Sequence, residues 1–105
     1  MQINFFNTGI EKFIASLEKA TIAKVLRTLN LLEKFGHQLG MPHSKKVAAE
    51  LFELRIRGVQ EVRIFYMFSK GSIVLLHGFI KKSSRIPPKE LAAAIQRQAE
   101  VKSRA

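Results

Sequence analysis

The sequence predicts a small α/β domain of the α+β kind. Three observations carry that reading: a stripe of apolar residues at helical spacing in the first third, a switch to period-two alternation after residue 50, and a proline-led helical segment at the end. At 105 residues the chain has the size of one domain. With 47% hydrophobic and 25% charged residues it has the material for one core, and disorder is a poor reading.

Residues 3–6 form a short apolar run that suits an opening strand, and Asn7, Thr8 and Gly9 follow as a turn able to cap a helix. Ile10, Phe13, Ile14 and Leu17 then fall at i, i+3, i+4 and i+7, the face of an amphipathic helix. Thr21 reads as the N-cap of a second helix, in which Ile22, Val25, Leu26, Leu29 and Leu32 face inward and Lys24, Arg27, Asn30 and Lys34 outward. The short break between them predicts an antiparallel helical hairpin. Both apolar stripes are read as core, not as a cofactor box.

Gly36, Gly40 and Pro42 stop the second helix. Residues 43–50 read as a connector carrying Lys45 and Lys46. From residue 51 to 57, Phe52, Leu54 and Ile56 alternate with Glu53, Arg55 and Arg57, so one face is core and the other polar. A turn at residues 58–61 leads to a second strand over 62–68, with Arg63, Phe65 and Met67 on one side and Val62, Ile64, Tyr66 and Phe68 on the other. Ser69, Lys70 and Gly71 make a tight hairpin. Residues 73–80 are nearly continuously apolar and predict a central strand whose end emerges at Lys81 and Lys82. These strands form a three-stranded antiparallel meander. Pro87 and Pro88 open a final helix with Leu91, Ala94, Ile95 and Gln98 on its narrow inner face, fraying over 101–105.

The net charge is +10 and the isoelectric point about 10.4, a footprint suited to a polyanion. Residues 43–86 hold nine Lys and Arg against three Glu, so the excess leans toward the strands and not a tail. The absence of cysteine excludes disulfides, zinc thiolates and a thiol nucleophile. His37, His43 and His77 lack ligand spacing, and there is no phosphate-cradling glycine loop, nucleophile elbow or catalytic carboxylate pair. No metal or cofactor is therefore expected. Without a leader pattern or an apolar run of membrane-spanning length, a cytoplasmic protein with no membrane partner is expected.

What remains is a row of cations that the meander brings together: Arg55, Arg57, Arg63 and the Lys81–Lys82 pair. Like charges set side by side call for an anion, and the arginine fork suits phosphate. Tyr66 and Phe79 flank the row and are candidates for base stacking as well as for core.

In combination, Glu53-Leu-Arg55, Arg63-Ile-Phe-Tyr66 and the run from Val74 through Lys81, Lys82 and Ser83, followed by a proline-led helix, resemble the RelE/HigB superfamily of toxins from type II toxin–antitoxin systems, in its phage-derived branch close to HigB. The resemblance covers most of the chain. It implies a small RelE-like fold of the microbial-ribonuclease type and a ribosome-dependent mRNA endonuclease that inhibits translation. Arg55, Arg63, Lys81 and Lys82 would hold the scissile phosphate while the RNA's own 2′-hydroxyl attacks, with no metal or cofactor. Lys45, Lys46, Arg57, Phe79 and Arg85 would bind RNA around that point. For proton transfer the resemblance leaves Tyr66, His77, Glu53 or a lysine open, because the C-terminal tyrosine or histidine of some members is missing here. Implied partners are mRNA, the ribosome and an antitoxin encoded by the adjacent gene, commonly a helix-turn-helix protein through which alone DNA would be met. The alternatives are a non-catalytic RNA- or DNA-binding regulator, and a degraded toxin that keeps only antitoxin binding.

Overall fold

The alternation that begins at Leu51 builds a sheet covered on both faces. The computed structural model describes residues 1–104. Its elements are β1 (Ile3–Phe5), α1 (Thr8–Ala15), α2 (Lys19–Phe35), a 3₁₀ turn (Gly36–Gln38), β2 (Ser44–Ala48), β3 (Leu51–Ile56), β4 (Val62–Ser69), β5 (Ser72–Ile80) and α3 (Pro88–Ser103). The sheet has five strands in the order β1-β5-β4-β3-β2. β1 runs parallel to β5, and every other pairing is antiparallel.

The structure departs from the pattern expected of the sequence at two places. The connector over residues 43–50 is the strand β2, so the meander has four strands and not three. Ser44 and Lys46 face one side and Lys45 the other; lysines on this outermost strand hid its period and also guard an open sheet edge. Second, α2 starts at Lys19, after a Glu18 whose backbone amide is held by the Gln60 side chain (2.9 Å). Thr21 is therefore not a cap but a buried residue of the first turn.

Asn7 does cap α1, accepting a hydrogen bond from the Ile10 amide at 3.3 Å. α1 and α2 cover one face of the sheet, where Ile10, Ile14, Val25, Leu29 and Leu32 meet Leu54, Ile56, Ile64 and Leu75. Leu26, expected inside, is exposed. Gly78 lets α1 lie close on β5: a Cβ there would stand 2.8 Å from the Phe13 ring. α3 covers part of the other face, where Leu51, Phe65, Met67, Leu76, Phe79 and Ala94 form a second, smaller cluster. Ile95, also expected inward, is exposed. Residues 101–103, expected to fray, continue α3, with Val101 packed against the second cluster; Ala105 lies outside the described residues. Lys70 and Gly71 both take positive φ (49° and 77°), as a two-residue hairpin requires.

Candidate functional site

Because successive side chains of a strand point to opposite faces, Glu53 and Arg55 of β3 and Arg63 and Phe65 of β4 share the α3 face. The register pairs Arg55 with Arg63, Arg63 with Phe79, and Glu53 with Phe65. Two like charges thus stand directly opposite, which is unfavourable unless something neutralises them. Glu53 does so from a neighbouring position: its Oε1 lies 3.7 Å from Arg55 Nε and 3.6 Å from Arg63 Nε. Arg63 also donates to Glu61 Oε2 (3.1 Å) and the Val62 carbonyl (3.1 Å). Glu61 in turn faces Arg57 Nε at 3.6 Å. The result is an alternating chain of three arginines and two glutamates at one end of the sheet.

Its members differ in access. The Arg63 side chain is only 2% exposed and Arg55 17%, while Arg57 is 64% exposed. Neither Arg55 Nε nor Arg63 Nε has a hydrogen-bond acceptor, and Arg55 Nη1 reaches only the Met41 thioether (3.4 Å). A guanidinium carries five N–H donors, so Arg55 is left with unspent donor capacity and a path to solvent. Arg63 sits behind it as a buried strut. Lys81 follows β5 at the same end of the sheet, its amide bonded to the Glu61 carbonyl (2.7 Å); Lys82 and Arg85 are exposed in the loop beyond.

A β-bulge delivers His77 to this face. Phe65 pairs with His77 and Tyr66 with Leu75, so Leu76 has no partner across the ladder. Before the bulge, Ile73 and Leu75 face α1 and α2; at it, Leu76 and then His77 both turn toward α3. Extra residues of this kind re-aim side chains. The Leu76 carbonyl accepts from Arg97 Nη1 (2.7 Å), and the same nitrogen donates to His77 Nδ1 (3.4 Å). That leaves His77 Nε2 to donate to Glu90 Oε1 (3.0 Å), an arrangement satisfied by the neutral ring with its proton on Nε2. Phe65 and Phe79 lie beside the imidazole on this face, ring centroids 6.5 Å and 6.3 Å away, and 5.7 Å from each other.

Of the residues singled out from sequence, the fold brings Arg55, Arg63 and Lys81 to one end of the sheet, with exposed Lys82, Arg57 and Arg85 in the adjoining turns; His77 shares the α3 face farther along β5, opposite Phe65 and two residues from the Phe79 that pairs with Arg63. Tyr66 is not among them. It lies on the opposite face, 1% exposed, with its hydroxyl bonded to Ser44 Oγ, and burial pushes its pKa above the usual phenolic value. Phe79 is 5% exposed and stacked on Phe65, so its ring is not free to receive a base. Lys46 shares Tyr66's face and Lys45 the α3 face of the edge strand. Glu61, Glu90 and Arg97 also belong to this region, although no motif in the sequence marks them. Their only trace in the sequence is position: Glu90 and Arg97 are seven residues apart on one face of α3. Among the described residues no group of His, Cys, Asp and Glu could hold a metal ion, and no helix is long and apolar enough to cross a membrane.

A family model described as phage-derived protein Gp49-like (DUF891) matches residues 12–99, from the middle of α1 to the last turns of α3. None of the curated proteins matches the chain.

Proposed function

Since the chain belongs to the phage-derived Gp49-like family, a member of the RelE/HigB-like group of toxin–antitoxin toxins, we propose that it is a translation-inhibiting toxin of the branch close to HigB, acting as a metal-independent endoribonuclease on ribosome-bound mRNA. The observation that carries the proposal is Arg55: a guanidinium with an orphaned Nε and a thioether as its one side-chain acceptor, set beside the buried Arg63–Glu53 pair at the strand ends where Lys81 and Lys82 emerge. In this reading Arg55 and the two lysines contact the scissile phosphate and stabilise the charge that builds on it as the ribose 2′-hydroxyl attacks. Arg63 is a positioning residue, since its charge is held by Glu53 and Glu61. His77, oriented by Glu90 and Arg97, is the proton-transfer group. The neutralising partner is an antitoxin that covers this end of the sheet.

Induced expression in growing cells should stop translation, and primer extension should map discrete cuts in mRNA. Arg55→Ala should lose on the order of 10²- to 10³-fold in cleavage, the usual consequence of removing one charge-stabilising donor. His77→Gln should lose roughly 10²- to 10⁴-fold, as general acid–base groups do. The near-complete burial of Arg63 favours a second reading, a module that binds RNA without cutting it. Intact transcripts together with retained RNA binding would replace the nuclease by that module.

A further inference from the structure

Beside the cluster, where α2 crosses the end of β3, lies a cleft of about 240 Å³ lined by Lys24, Arg27, Thr28 and Leu31 of α2, Pro42 and His43, and Arg55, Ile56 and Arg57. Four permanent cations and no carboxylate line it; Arg55 and Arg57 are paired outside the lining with Glu53 (3.7 Å) and Glu61 (3.6 Å), which leaves Lys24 and Arg27 as the cations without a carboxylate partner among the described residues. Lys24 is fixed there by donating to the Arg57 carbonyl (3.0 Å). Arg27, exposed one turn along the helix, projects its charge over the opening. Cations gathered on low-dielectric walls concentrate a positive field and favour an anion. Leu31, Pro42 and Ile56 provide an apolar floor, suited to the carbon skeleton of a sugar.

We infer that this cleft is a second phosphate subsite, holding the ribose–phosphate of the nucleotide next to the one bound at the cluster. The inference deepens the ribonuclease reading and rests on it for the identity of the ligand as single-stranded RNA. Arg55 borders both places: it lines the cleft at the end of β3, and its guanidinium stands in the arginine–glutamate chain on the α3 side of the same strand. A polymer with one charge per residue is the ligand that fills two adjoining cationic sites at once. The size fits as well. The cleft is smaller than the roughly 300–1,000 Å³ typical of pockets for drug-sized ligands, a size that suits one nucleotide's backbone.

The test is fluorescence anisotropy of the full chain with a labelled single-stranded RNA hexamer bearing 2′-O-methyl groups, which removes the attacking hydroxyl and separates binding from cleavage. Arg27→Gln should weaken binding about five-fold at low salt and reduce the slope of log K against log salt by about 0.7, the value for one lost phosphate contact on a single strand. Arg27→Lys should restore most of both. Unchanged affinity and slope in Arg27→Gln would overturn the subsite, and the nuclease reading would survive if Arg55→Gln still weakened binding. Loss of binding in Arg27→Gln without any cleavage by the wild type in cells would uphold the subsite and remove the nuclease. Tighter binding of a hexaglutamate peptide than of the RNA, abolished by Arg27→Gln, would overturn the assignment to RNA in favour of an acidic protein segment.

Discussion

The two faces of the sheet are made by alternate residues of the same strands, yet they hold the fold by different means. Under α1 and α2, Leu54, Ile56, Ile64 and Leu75 meet helix side chains, and Tyr66 spends its hydroxyl on Ser44. Toward α3, Glu53, Arg55, Arg63 and His77 stand beside Phe65 and Phe79. The first face gains from every apolar atom it removes from water. On the second, each buried charge is tolerable only because an opposite charge lies within a few ångströms. A substitution there should therefore do more harm by orphaning a partner than by removing its own contacts.

The largest effect that this difference predicts is at Glu53. Glu53→Ala leaves the two guanidiniums of Arg55 and Arg63 without their shared counter-charge, and breaking a buried pair in this way costs about 3–5 kcal/mol. Urea denaturation should show the loss as a lower midpoint. Replacing the buried partner as well, as in Glu53→Leu with Arg63→Met, should recover the share that belongs to Arg63, because paired apolar residues of similar volume commonly match a buried ion pair, while the more exposed Arg55 stays without Glu53. A loss under about 1 kcal/mol in the single variant would place Arg63 in the range of an exposed pair and dissolve the contrast between the faces.

A smaller effect belongs to the apolar face. Tyr66→Phe leaves Ser44 Oγ buried without its partner, a change worth about 1–3 kcal/mol. It should leave mRNA cleavage unchanged, because the hydroxyl is on the far side of the sheet from Arg55. The variant also has a pH signature. Burial raises the phenol's pKa in the folded state above its ordinary value of 10.0. The unfolded chain then loses the proton first, so stability is intact below about pH 10 and falls as pH rises through the folded value. The difference between wild-type and Tyr66→Phe melts in alkaline buffer should show this limb.

The same contrast explains what the sequence could reveal. Alternation over Phe52, Leu54 and Ile56 against Glu53 and Arg55 is visible in one dimension, and so is the turn at Lys70 and Gly71; both stand as read. β2 stayed hidden because Lys45 and Lys46, at home on an exposed edge, erase the apolar period that marks a strand. The direction of His77 was illegible because it is set by a bulge, one residue that shifts the parity of everything after Leu75. The basic row was legible as composition, but not the burial of Arg63. That depends on Glu53 reaching across from β3, as well as on Glu61 two residues away, to neutralise it. Lys24 and Arg27 read as an outer helix face, and only the crossing of α2 over the end of β3 makes them walls of a cleft.

The smallest effect tests whether charge also matters where nothing is buried. Lys102 donates to Glu50 at 2.6 Å, tying the last turn of α3 to the β2–β3 turn, and this hydrogen bond, with the attraction of the ammonium, holds the Glu50 carboxyl below its ordinary 4.5. Both groups are well exposed. Their contribution is present above the ordinary carboxylate value and fades as pH falls through the lowered one, and salt screens it. Lys102→Gln should quicken amide exchange in the last turn of α3 by roughly two-fold at low salt, with no such change in β4. Exchange that quickened equally in β4 would mean that this exposed tether is coupled to the sheet as tightly as the arginine–glutamate chain. Confinement to the helix end would instead show that proximity of opposite charges stabilises this fold chiefly where water has been removed from around them.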